Sequence, residues 1–192
     1  MGSLQRLLSV GWGHPTSLVI DNRPALYYLL CMDIKDVMIS DFAKLWLAHD
    51  GLWFQAVEQE YGLEAAIKLD KIAWSQFSPL EAKRILERLN KQPGGGIPLL
   101  AEALNHRLYA HLNKQRFVEQ TPNCLVFEMV SCRVQDARHR RGLPPFPCKE
   151  VGMVEYSTFA RTIDPRIETH CKRCPPDDFN GEYWCRWEFV IP

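Results

Sequence analysis

The residues best suited to chemistry lie in "THCKRCPPDDFNGEYWCRWEF", positions 169–189. Cys171 and Cys174 form a C-x2-C knuckle followed by Pro175-Pro176. A turn of that length can aim two thiolates at one ion, each about 2.3 Å from a zinc. Cys148 precedes the pair and Cys185 follows it, so four thiolates are available for zinc or iron, an iron–sulfur cluster included. A zinc ribbon would have two such knuckles, and this chain has one. Cys185 also alternates with Tyr183, Trp187 and Phe189 on one strand face, which makes it a core residue as readily as a ligand.

Cys148 is expected just before a helix, where unpaired N–H groups and the helix dipole favour thiolate over thiol. Glu155 lies two turns further along the same face. The two could serve as nucleophile and general base, or as thiolate and carboxylate ligands. The alternative is a capping thiol and a solvated carboxylate. His49, with Asp50 beside it and Trp46 and Trp53 a turn away on either side, is a candidate base or the wall of a small-molecule pocket. A core histidine bonded to a carbonyl is the other reading. Asp70 could partner His49 or reach solvent. Cys132, between Val130 and Val134, reads as core or pocket wall, and Cys31 and Cys124 as structural.

These groups need elements to position them. A 3.6-residue period runs from Asp41 to Glu60, with Phe42, Trp46, His49, Trp53, Ala56 and Glu60 on its stripe. After Gly62 a second helix is expected from Leu63 to Phe77. Ser78-Pro79-Leu80-Glu81 then reads as a capping box opening a third, which "PGGG" ends. A fourth is expected from Pro98 to about Arg116. Cys124–Val134, apolar on both faces, predicts a central strand. A short basic helix follows, and "LPPFP" is a stiff loop delivering Cys148 to a helix over about 149–161. Arg166–Cys171 and Tyr183–Ile191 complete the pattern as strands. The expected fold class is α+β: an N-terminal helical layer on a small antiparallel sheet, closed by a β-α-β-β unit. The expected organisation is a loosely attached extension over 1–31, then one domain over 32–192. Its helical part covers 32–120 and its cysteine-containing part 121–192.

Composition narrows the function classes. Lysine plus arginine equal aspartate plus glutamate, 23 each, so the broad basic field of a nucleic-acid binder is missing. The run Arg138-His139-Arg140-Arg141 is short enough to be a solvated helix end. No apolar run reaches the roughly 20 residues needed to cross a bilayer. Seven cysteines, an odd number, speak against a disulfide framework and for a reducing, cytoplasmic setting. The expected partners are a small molecule and a second copy of the chain in a homodimer. Alternatively, the helix carrying Trp46, Trp53 and Phe54 docks a protein partner.

The stretch from "VSCRVQDARHRRGLPPFPCKE" to "YWCRWEF", with "DGLWFQAVEQEYGLEAAIKLD" upstream, resembles an uncharacterised family of prokaryotic cytosolic proteins over about 36–190. The order of strand, cysteine, helix, strand, C-x2-C and closing "WCRWEF" is more distantly similar to L-2-amino-thiazoline-4-carboxylate hydrolase-like proteins and to 4-vinyl-reductase ligand-binding domains. That resemblance implies a pocket between helices and sheet, in some members with a metal held by cysteines, and a hydrolase acting on a C–N or C–S bond. This chain departs from the hydrolase pattern where Pro175-Pro176 intervene before Asp177.

Overall fold

A computed structural model describes residues 34–192. The expected extension over 1–31, and Cys31 with it, lies outside the described residues. Two long helices come first, α1 (Ile34–Tyr61) and α2 (Leu63–Leu89), separated by Gly62 at φ 86°, a left-handed angle that glycine takes without steric cost. Next come α3 (Gly96–Asn105), a 3-10 turn (Leu108–His111) and strands β1 (Gln115–Gln120) and β2 (Cys124–Met129). Helices α4 (Arg133–Arg140) and α5 (Lys149–Ile163) and strands β3 (Glu168–Arg173) and β4 (Cys185–Val190) complete the chain. The fold is α+β, as the sequence pattern indicates.

All four strands pair antiparallel in the order β1-β2-β4-β3. Central β2 turns Leu125, Phe127 and Met129 to the core, while buried Glu128 on the other face is met across the ladder by Arg116 of β1 and Arg186 of β4. The core joins that face and Trp187 and Phe189 of β4 to Tyr156, Phe159 and Ile163 of α5 and Leu100 and Leu104 of α3. Asp164, which ends α5, accepts from the Gly96 N–H (3.0 Å) and the Arg166 guanidinium (2.7 Å) and so ties α5 to the start of α3. Those bonds, Arg166's first, hold its carboxyl at about 2 despite burial.

Helix α5 approaches β4 so closely that a Cβ on Gly152 would lie 2.7 Å from Cζ2 and 3.0 Å from Cη2 of Trp187. A rigid indole cannot yield by rotation. Gly152→Ala is therefore expected to cost about 1–3 kcal/mol. Urea unfolding followed by tryptophan fluorescence measures it, and an unchanged midpoint would show that the two elements can slide apart freely.

Three expectations are corrected. The second and third helices are one, α2, with Pro79 inside it. Ser78 is fully buried rather than a cap, because Trp74, Ala82, Ile85 and Leu86 bury one continuous face and outweigh a single lost backbone bond. The fourth helix stops at Asn105; Arg107 is extended, and residues 115–120 form the edge strand β1, recruited by pairing with β2 against their local pattern. Finally, the inner stripe of α1 is rotated from the expected one. Ala43, Trp46, Leu47, Asp50 and Phe54 face inward, whereas His49 is exposed and Phe42 and Trp53 are 58% and 69% exposed.

Candidate functional site

Two rigid connections bring the thiols together. On one side, buried Gln135 of α4 grips the "LPPFP" loop with two prongs: its amide donates to the Phe146 carbonyl and accepts from the Phe146 N–H, both at 2.9 Å. The same amide reaches the Cys148 sulfur at 3.5 Å. Arg138 adds a bond to the Pro144 carbonyl (2.8 Å) and an ion pair to Glu58 of α1 (2.9 Å). On the other side, the "CPPD" turn is pinned to the first residue of α5. Lys149 donates its backbone N–H to the Pro175 carbonyl (2.9 Å) and its ammonium to Asp177 (2.8 Å), and Asp177 in turn accepts the Cys174 N–H (3.1 Å).

The result places the Cys148 and Cys174 sulfurs 3.4 Å apart. Cys171 and Cys185 also stand close enough to the Cys174 thiol to act on its ionisation, so three thiols from three segments gather around a fourth. All four are free thiols. Hydrogen bonding to Cys148, Cys171 and Cys185, then burial, pushes the Cys174 thiol far up. The opposite holds at Cys171, where the bond from Cys174 and then the Lys149 ammonium favour the thiolate over the cost of burial.

Beside the thiols is a cavity of about 420 Å³ between the α1–α2 layer and α5 with the sheet. Cys132, Cys148, Cys174 and Cys185 line it, with Trp187, Tyr156 and Glu155; Asp50, Phe54, Asp70, Trp74 and Tyr109 line it from the helical side. Cys132, which precedes α4, has its thiol pushed up by burial. Burial likewise raises the Asp50 carboxyl against the pull of His49. Asp70 is pushed up to about 7 by burial and by the charges of Asp50 and Glu155, although a hydrogen bond with the Trp74 side chain opposes this.

The expected site residues therefore separate. Cys148, Cys171, Cys174 and Cys185 converge, and Asp50 and Cys132 stand on the cavity wall. Trp46 lies behind that wall, stacked on Phe77 and edge-on to Trp74 and Tyr109. His49 and Trp53 are outside it, which corrects their roles as base and pocket residue. Glu155 is neither solvated nor free: it is 7% exposed and bonded at 2.7 Å to Arg107, a fully buried guanidinium that also holds Glu81 at 2.8 Å.

No motif or spacing in the sequence marks Arg107 as part of the site. The available clue was Glu155 itself, a carboxylate among Val151, Tyr156 and Phe159 on a buried face, which needs a cation.

A family of unknown function, DUF6125, matches residues 30–191. The chain belongs to this family. No curated protein and no solved structure gives a significant match. Membership in DUF6125 agrees with the expectation of an uncharacterised family and assigns no activity. Among the described residues of this DUF6125 chain, no helix is long and apolar enough to cross a membrane. Nor does any group of three or more His, Cys, Asp or Glu among them stand in position to hold a metal ion. The Cys148 and Cys174 sulfurs, 3.4 Å apart, are in direct contact; two ligands of a tetrahedral zinc would be about 3.8 Å apart, given bonds of about 2.3 Å.

Proposed function

We propose that this DUF6125 chain is a small-molecule-binding domain whose cavity ends in a metal centre, zinc or iron, ligated by Cys148, Cys171, Cys174 and Cys185. One observation carries the reading: three thiols crowd onto the thiol of Cys174. Four thiolates cannot coexist so closely without a cation, and a divalent ion removes the repulsion by binding all of them. An all-sulfur donor set selects zinc or iron over magnesium or calcium. Separating Cys148 from Cys174 by a few tenths of an ångström would reach tetrahedral spacing, a side-chain adjustment that leaves the Gln135 and Lys149–Asp177 anchors in place.

Metal analysis of anaerobically purified protein is expected to find one zinc or iron per chain. Cys148→Ser, Cys171→Ser and Cys174→Ser should each lower affinity by about tenfold or more, while Cys124→Ser leaves it unchanged. Absence of both metals, together with no sulfur-to-cobalt charge-transfer band on Co²⁺ addition, defeats the proposal.

A metal-free thiol hydrolase, which the distant resemblance suggests, has the weaker support. Its nucleophile would be Cys171, where the thiolate is favoured, rather than Cys148. Of the bases expected for it, His49 is exposed off the cavity and Glu155 is committed to Arg107.

A further inference from the structure

We propose that the helical side of the cavity binds the protonated amine of an aromatic ligand, held between Asp50 and Asp70, with a hydrogen-bond acceptor on that ligand taken by the indole N–H of Trp187. This deepens the small-molecule half of the proposed function and does not depend on the metal.

Asp50 comes from α1 and Asp70 from α2, and both line the same cavity. Neither forms a salt bridge among the described residues, unlike Glu58, Glu81 and Glu155 nearby, each of which holds an arginine. Lys44 of α1 and Arg133, Arg138, Arg140 and Arg141 of α4 and the turn after it line the same cavity, Arg138 being held by Glu58, so the two carboxylates of α1 and α2 offer a positive charge its place on the helical wall rather than in the cavity at large. Asp70 already accepts from Trp74 and keeps its remaining lone pairs for a ligand. The rings of Phe54, Trp74, Tyr109 and Tyr156 line the same cavity, the last three with the Arg107 guanidinium 5.5–5.9 Å from their centres, and give a flat aromatic body its walls.

A second observation is independent of the acids. Trp187, a residue of the cavity wall, buries an Nε1–H that has no hydrogen-bond partner. A buried donor left unmade is costly, and an acceptor on the ligand would satisfy it. Because Trp187 sits opposite Cys171 in the ladder and two residues from Cys185, that acceptor would lie next to the thiols. The volume, about 420 Å³, falls in the roughly 300–1,000 Å³ range of small-molecule sites.

The test compares three probes of one shape on the full chain: phenethylamine, 2-phenylethanol and 3-phenylpropanoate. Phenethylamine is expected to bind saturably in the millimolar range, by calorimetry and thermal shift, about tenfold or more tighter than the alcohol. The carboxylate should not bind. Asp50→Asn/Asp70→Asn should remove the preference for the amine. In wild-type protein, phenethylamine should move the Trp74 indole N–H resonance, a readout that stands even if the double variant fails to fold. In Cys174→Ser, amine binding should persist, which separates this site from the metal centre. Equal binding of all three probes, no binding of the amine, or amine preference retained in the double variant overturns the proposal.

Discussion

Replacing Arg107 with leucine is expected to destabilise the protein by about 3–5 kcal/mol at pH 7, the cost of leaving a buried charge network without its cation. Arg107 is 2% exposed and holds two carboxylates from different helices, Glu81 of α2 at 2.8 Å and Glu155 of α5 at 2.7 Å. Its guanidinium also lies 4.7 Å from the ring centre of Phe159 and 5.5 Å from those of Tyr109 and Tyr156. Burial already raises the Glu155 carboxyl while Arg107 pulls it down, so without the guanidinium burial acts unopposed. Lysine should rescue little, since one ammonium cannot serve two carboxylates and stack on the rings together. Urea unfolding of Arg107→Leu measures the loss. The deficit should shrink at pH 5, where burial favours protonation of the stranded Glu155, and Arg107→Leu/Glu81→Leu/Glu155→Leu should recover part of it at every pH. A single variant within about 1 kcal/mol of wild type would mean that the ion triad adds nothing to stability.

The cysteine region was legible because its constraints are local. Proline fixes the "LPPFP" loop and the "CPPD" turn, alternation marks β4, and the start of α5 follows from the loop before it, so Cys148 was placed correctly at the helix entrance. The helical half was less legible because tertiary contacts decide it. The spacing of Trp46, His49 and Trp53 points to one stripe of α1, yet packing against Trp74 and Phe77 of α2 selects the face of Trp46 and Phe54 and turns His49 and Trp53 out. Residues 115–120 became a strand only because β2 offers an unpaired edge. Arg107 and its two carboxylates are separated by long stretches of chain, and no spacing rule joins them. The pairing of Asp50 with Asp70 likewise depends on how α1 lies against α2.

That pair gives the last expectation: wild-type stability should fall as pH rises from about 4 to 7, and Asp70→Asn should remove much of the fall. Folded Asp70 keeps its proton up to about 7, whereas the unfolded chain releases it near 3.8. Between those values the folded state binds more protons, so raising the pH favours unfolding; above about 7 both states are ionised and the penalty is constant. Asparagine has no proton to release and retains an acceptor for Trp74. At pH 8 the variant should therefore exceed wild type by on the order of 2 kcal/mol, about half of what the full shift would give, because Asp70 is partly open to the cavity. Asp50, raised by burial beside it, should leave a smaller slope of the same sign in the variant. Asp164 acts oppositely and in another window: its carboxyl is held down by Arg166, so its contribution is lost only as pH falls from about 4 to 2. Urea midpoints at pH 4.5, 6, 7 and 8 separate the two. Parallel curves for wild type and Asp70→Asn would show that Asp70 ionises normally in the cavity. A falling wild-type curve and a flatter variant would show a carboxylate that costs the fold stability at neutral pH, a cost that a bound cation would offset.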